Sequence, residues 1–307
     1  MKNKADQKKP LVSVIMPVYN AGNFLVEAIE SILKQTYQNF EFIIINDHST
    51  DNSWDIIQKY QKKYPKKIKA INLKRNLNKG GDACANVGLS KAKGKYIARM
   101  DADDIAHPQR LEKQVKFLEK NKDVFLVGSN AKVIDKEGKV IGIKKVPTSY
   151  EDIYKSFFTF NPIIHPTVIF RRVIKGKVFS YPKKFSANND YYVFFKMLCK
   201  DYKFVNLREE LLYYRIHGNN DTFNNMREKF LNTLRIRLIM VLKYKYRPTL
   251  KQWLINIAQL IAIFLLPSQV AKKIYLLSKG IINISNRFEN FGKFFILKRH
   301  IRFFQSY

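Results

Sequence analysis

The strongest constraint on this chain's fold is an alternation between residues 11 and 128. Short apolar runs rich in β-branched side chains are separated by stretches with helical spacing. Residues 11–16, 41–46, 68–73, 95–100 and 124–128 read as buried strands, the first ending at Pro17. Between them, Phe24, Leu25, Ala28, Ile29, Ile32 and Leu33 fall on one helical face. Ser49-Thr50-Asp51 opens a second helix, and Lys79-Gly80-Gly81 opens a third that closes near Gly94. Pro108 starts a fourth, with Leu111, Val115 and Leu118 as its stripe. Strands joined by helices of this length predict an α/β fold with a doubly wound, mostly parallel sheet and right-handed crossovers.

Asp101-Ala102-Asp103 follows the fourth apolar run. Strand side chains alternate faces, so a strand continuing through this tripeptide presents both carboxylates together at its C-terminal edge. Open α/β sheets bind ligands at such edges. Clustered hard oxygens suit Mg2+ or Mn2+, which commonly bridge to substrate phosphates. Asp104 alternates to the other face and reads as structural, a cap for the helix near Pro108. Lys79-Gly80-Gly81 is a loop able to approach phosphate with a helix N-terminus behind it, although it lacks the Lys-Ser/Thr ending of a Walker loop. Such a Gly-Gly pair is more often a plain turn.

Charge bounds the partners. The net charge of +31 points to an anionic partner, either phospholipid, nucleic acid or a phosphorylated substrate. The chain carries no helix-turn-helix, zinc or RRM pattern, so nucleic acid is not expected. Cys84 and Cys199 match no metal spacing and read as reduced thiols of a cytosolic protein. The basic start leads into an apolar run too short for a signal peptide. From residue 222 onward there are 16 Lys and Arg against two acids, Glu228 and Glu289. Residues 254–266 are nearly all apolar but include Asn256 and Gln259, and they fall short of the roughly 20 residues of a membrane span. Beyond Pro267, basic residues alternate with Phe, Ile and Leu, the pattern of a helix lying on an anionic leaflet. A charged helical cap over the preceding domain is the other reading.

Several segments together resemble family 2 glycosyltransferases of the GT-A fold. Val12-Ser13-Val14-Ile15-Met16-Pro17-Val18-Tyr19-Asn20 is similar to that family's opening strand, and Ser31-Ile32-Leu33-Lys34-Gln35-Thr36 to the end of its first helix. Residues 42–51 are similar to its second strand and turn, and Asp101-Ala102-Asp103-Asp104 to its metal motif. Asn188-Asn189-Asp190-Tyr191-Tyr192 falls at the acidic catalytic pair, and Tyr214-Arg215-Ile216-His217-Gly218 at a motif closing the active site. His165 lies in a segment similar to one under the acceptor site.

The change in composition sets off a basic, apolar helical region over 222–307, and the resemblance implies a catalytic domain over residues 1–221. It implies a metal-dependent inverting transfer from a UDP-linked sugar to a hydroxyl of a glycan or lipid-linked glycan. Asp47 would accept the uracil N–H beside Pro17 and Tyr19, whereas the residues alone read Asp47 as a turn or N-cap acid. Asp103 would ligate Mn2+ or Mg2+ with Asp101 in support, His217 would be a late metal ligand, and Lys79 and Arg215 would meet phosphate. Asp190 would be the general base, its pKa raised by flanking rings. Where the family has Glu-Asp this chain has Asn189-Asp190, and where it has Asp-Asp this chain has Asn46-Asp47. Together with the basic tail, these features place the protein in the cytoplasm, peripheral on the inner face of the cell membrane, in surface-glycan assembly. Two alternatives are transfer to polyprenyl phosphate, which needs no base, and a non-catalytic basic binding module.

Overall fold

The computed structural model describes residues 9–77, 81–185, 187–217, 226–267 and 270. The expected Lys79 contact, Gly218 of the closing motif and the tail beyond residue 270 lie outside the described residues.

The first half alternates as the apolar pattern requires: β1 (Val12–Val18), α1 (Gly22–Leu33), β2 (Phe40–Asn46), α2 (Ser53–Lys63), β3 (Ile68–Asn72), α3 (Asp82–Lys91) and β4 (Tyr96–Arg99). Then follow β5 (Ile105–Ala106), α4 (Arg110–Lys120), β6 (Val124–Ile134), β7 (Val140–Lys144) and α5 (Tyr150–Ser156). Next come β8 (Ile169–Arg171), a hairpin of β9 (Val173–Ile174) and β10 (Lys177–Val178), α6 (Asn189–Leu198) and β11 (Lys203–Arg215). Two helices end the described chain, α7 (Met226–Tyr244) and α8 (Leu250–Leu265).

The main sheet runs β3-β2-β1-β4-β8-β6-β11-β5, with β7 beside β6. Its β3-β2-β1-β4 half is parallel, as the crossover helices dictate. The other half is mixed, because β8 lies antiparallel to both β4 and β6, and β5 antiparallel to β11. Alternate residues of β1 supply two cores. Val12, Val14 and Met16 pack with Leu25, Ile29, Ile57 and Leu111 of α1, α2 and α4 on one face. Ile15 packs with Cys84, Leu89 and Phe195 of α3 and α6 on the other. The helix α3 approaches closely: a Cβ on Gly88 would stand 2.7 Å from Ile45 Cδ1 and 2.9 Å from Ile15 Cγ2.

Two expectations are corrected. β1 does not stop at Pro17 but continues to Val18, pairing Pro17 with Ile45. Ile15 faces β4, since its carbonyl accepts from Met100 N–H, so Pro17, two residues on, presents its missing donor to the same side. β4 ends at Arg99, so no ladder bond is lost there. For the same reason Asp101 and Asp103 are not on a strand: they lie in the turn after it. Strand alternation therefore does not bring them together. The turn does.

The start of β4 is tied to α4 through Glu119, which accepts from Lys122 and Lys95, at 2.6 Å each, and from Tyr96 Oη. Burial alone would raise its pKa, but these donors outweigh burial and bring it down to about 2. A depressed carboxylate stabilises the fold above its ordinary value near 4.5, and that contribution is lost as pH falls toward 2. Thermal unfolding of Glu119→Gln should therefore show a lower Tm than the parent at pH 7. The difference should close as the pH falls from about 4.5 to about 2.

Candidate active site

The sheet itself creates the crevice. From β1 the chain winds outward through β2 and β3, then crosses back to place β4 on the other side of β1. The C-terminal ends of β1 and β4 thus flank a topological switch point, where open α/β sheets hold ligands. Pro17 lies near the end of β1 and Tyr19 just past it, Asp47 follows β2, and residues 100–104 follow β4. Gly81, at φ 78° before α3, brings that helix N-terminus alongside: a Cβ there would lie 3.4 Å from Arg99 Nη2 and 3.8 Å from Pro17 Cβ. Tyr19 is 55% exposed, whereas Asp47 is buried. The Asp47 carboxylate accepts from Leu77 N–H at 2.9 Å. Burial raises its pKa against that hydrogen bond.

Asp101, Asp103 and Asp104 place one carboxylate oxygen each within 4.8 Å of one another. Asp101 pairs with Arg99 at 2.8 Å, and His217 Nε2 lies 3.0 Å from Asp103 Oδ2. This set of hard oxygens with one adjacent imidazole fits Mg2+ or Mn2+. Asp104 does not cap α4, which starts on Gln109 without a side-chain cap. It is buried, accepts from Arg215 N–H at 2.9 Å, and keeps its second oxygen without a protein partner. Burial and its two acidic neighbours push its pKa well up.

Arg215 is 2% exposed. Its guanidinium donates to the carbonyls of Asp103 (2.9 Å) and Lys136 (3.0 Å) and to the Glu27 carboxylate, and it lies over the Phe24 ring. In this arrangement it clamps the acidic turn from behind. The segment after the turn is held by the end of α1: Ser31 Oγ accepts from Ala106 N–H, while Gln35 donates to His107 O and accepts from Leu111 N–H.

Across the crevice, Asp190 sits in the first turn of α6, its carboxylate 4.0 Å from His165 Nδ1. His165 Nε2 lies 2.8 Å from Tyr181 Oη. Burial, then Arg99, holds the His165 pKa well below its usual value, so the imidazole is neutral near pH 7. Burial raises the Asp190 pKa; the Tyr191 N–H and Arg99 oppose that, and Asp101 adds to it. Asn189 is spent on structure. Its amide donates to Phe185 O (2.9 Å) and accepts from Phe185 N–H (3.0 Å), which a carboxylate could not do at both ends. Asn188 takes φ 65° and fastens α6 to α7 through Thr233 Oγ1 at 2.8 Å.

Two groups escaped the sequence reading. Arg99 is buried between Asp101, Asp82 and Tyr181; burial lowers its pKa, but these acidic neighbours, Asp101 foremost, outweigh burial and raise it. The one signal was a cation inside an otherwise apolar strand. Asp82, the first residue of α3, is buried with Oδ1 lacking a protein partner. Burial first, then Asp190, pushes its pKa well above the carboxylate norm. Its neighbourhood is assembled from β4, α3 and α6, so no local pattern announces it.

Comparisons agree with this geometry. The family described as Glycosyl transferase family 2 matches residues 13–177. The chain is 35% identical over 219 residues to the UDP-Glc:alpha-D-GlcNAc-diphosphoundecaprenol beta-1,3-glucosyltransferase WfaP of Escherichia coli, covering 71% of this chain and 82% of that protein. Among solved structures, S. aureus TarS 1-349 in complex with UDP-GlcNAc aligns with TM-score 0.60 at 20% identity, covering 87% of this chain and 78% of that one. The mannosyltransferase PcManGT from Pyrobaculum calidifontis, in complex with GDP-Man and Mn2+, aligns at 0.56 and 15%, covering 88% and 81%.

An acid whose folded pKa is raised stabilises the fold at low pH, and loses that contribution as pH rises through the raised value. Asp82→Asn keeps the shape and removes the charge. Urea unfolding should show the variant gaining stability over the parent as pH rises above the ordinary carboxylate value near 3.8. A pH-independent difference would mean that Asp82 ionises freely.

Proposed function

The chain belongs to glycosyl transferase family 2, and from that premise we propose an inverting transfer of a sugar from a UDP-sugar to a hydroxyl of a lipid-linked glycan. The observation that carries this reading is the pairing across one crevice of an acidic turn, Asp101 and Asp103, with a buried-rim carboxylate, Asp190, beside a neutral imidazole. The β1–β4 switch point supplies the nucleotide side. Asp47, Pro17 and Tyr19 stand there to receive the base and ribose. Support for UDP comes from relatives whose names carry it, WfaP and the TarS complex. The lipid-diphosphate acceptor rests on WfaP alone.

Asp101 and Asp103 would hold a divalent ion, with His217 at the rim, and that ion would offset charge on the departing diphosphate. The protein's own groups do the rest. Asp190 takes the proton of the acceptor hydroxyl, whose oxygen bonds to the anomeric carbon while the carbon–phosphate-oxygen bond breaks. The sugar inverts because attack and departure occupy opposite faces in one displacement. The raised Asp190 pKa makes it a stronger base than a free aspartate, and neutral His165 avoids pairing that would weaken it. Arg99 pairs directly with one oxygen of Asp101 and offsets the charge of Asp190 through space. A cytoplasmic position on the inner face of the membrane follows from a lipid-borne acceptor and the charge of +31.

Thermal denaturation with nucleotides tests the donor side. UDP and UDP-sugars should raise the Tm, more so with Mn2+, and Asp103→Ala should lose the metal-dependent increment. No response to any nucleotide from the folded protein would sink the reading.

Turnover tests the base. Asp190→Asn should lose about 10²–10⁴ in kcat while keeping the UDP-sugar Tm shift. The parent's kcat/KM should fall as the pH drops through a value above the free-aspartate norm. Near-full activity in the variant would instead indicate a phosphate acceptor.

A further inference from the structure

Helix α8 is built inside out. Its polar residues Gln252, Asn256 and Gln259, at i, i+4 and i+7, face the protein. Asn256 donates to Phe158 O (3.0 Å) and accepts from Arg237 Nη1 (2.6 Å). Gln259 donates to Thr159 O (2.9 Å) and also accepts from Arg237 (2.9 Å), while Gln252 donates to Lys155 O (2.7 Å). The outward face carries Leu254, Ile257, Ile261, Phe264 and Leu265, each between 46% and 77% exposed. A helix on a soluble surface turns such a stripe inward, and a contiguous exposed apolar face of this kind marks an interaction site.

Charge selects the occupant. Exposed Lys243, Lys245, Arg247 and Lys251 gather at the N-terminal end of α8, and residues 229–267 contain no acid. A second copy packed with its α8 parallel to this one would bring two such basic clusters together. The helix spans 16 residues, about 24 Å, and no helix among the described residues is long and apolar enough to cross a membrane.

We propose that α8 lies flat in the interface of an anionic bilayer, its Leu254–Ile257–Ile261–Phe264 face in the acyl boundary and its flanking cations on the headgroups. The contact is stiffly linked to the site. Arg237 of α7 bridges α8 to Tyr191 Oη of α6 (3.1 Å), the neighbour of Asp190, and Asn188 ties α6 to α7. The bilayer would thus set the orientation of the Asp190 side toward a lipid-borne acceptor, a consequence that rests on the transferase reading; the binding itself does not.

The chain has two tryptophans, Trp54 and Trp253, the latter on α8. Full-length Trp54→Phe leaves Trp253 as the sole reporter, and Trp253→Phe is its control. Phosphatidylcholine vesicles with phosphatidylglycerol should sediment the protein and shift Trp253 emission to the blue, with quenching by brominated acyl chains. Vesicles of phosphatidylcholine alone, or high salt, should do so weakly. Ile257→Glu/Ile261→Glu should weaken partition about tenfold or more with unchanged Tm. Three results would overturn the proposal: no association of the full chain with anionic vesicles, association that leaves Trp253 unshifted and survives the double substitution, or a dimer in solution that the double substitution dissolves. UDP-sugar Tm shifts on the same samples keep the readings separate. Vesicle binding without a nucleotide shift sinks the transferase reading alone, and the converse sinks the membrane proposal alone.

Discussion

Crowding three carboxylates into one turn is the constraint on which the site depends. At separations within 4.8 Å, each ionised pair would repel by about 3.5 kcal/mol at an effective dielectric of about 20. The fold answers with buried guanidinium groups. Arg99 pairs with Asp101. Arg110, fully buried on α4, donates to Arg99 O at 2.7 Å and so braces the end of β4. Arg215 holds the carbonyl of Asp103 while its own N–H meets Asp104. Burial lowers the Arg110 pKa to about 10, yet Asp104 and Asp101 support its charge. Cations behind the turn and carboxylates in front give a surface that welcomes a further cation at its face.

The division of the sheet follows the same logic. Its parallel half delivers the tips of β1, β2 and β4 to one edge, the side where Asp47 and the acidic turn lie. Beyond β4 the sheet turns mixed, because β8 returns antiparallel between β4 and β6. That return lets the short helical turn at His165–Thr167 sit under the same crevice that β4 opens. Helix α6 then covers it with Asp190. Aromatic packing sets α6 in place: Phe157, Tyr191 and Phe195 meet ring to ring, and Phe194 meets His165. Burial among these rings keeps the Asp190 pKa up, which suits the base role proposed for it.

Much of this was legible in the residues. Four of the five apolar runs at helical separations were enough for the parallel half, since side-chain period and loop length are local properties. Asp101-Ala102-Asp103 was identifiable as an edge feature, although for a reason the structure replaces: a turn, not a strand, gathers the carboxylates. Pro17 misled in the same way. Proline reads as a strand end, yet a strand can pass through it where its neighbour has already stopped. Asn189, conspicuous as a departure from an acidic pair, proves to bridge both polar groups of Phe185.

By itself the sequence determined the alternation of strands and helices, the acidic edge motif, the order of the site segments and the basic balance. Each of these depends on neighbours a few residues apart. Only the tertiary structure decided which charges meet: Asp82 with Asp190, Arg215 with Glu27 across 188 positions, His217 with Asp103 across 114. It also decided that the polar face of α8 turns inward and its apolar face outward, which helical periodicity leaves open. Periodicity states that a helix has two faces; which one meets the protein depends on partners far along the chain, here the carbonyls of Phe158 and Thr159 and the guanidinium of Arg237.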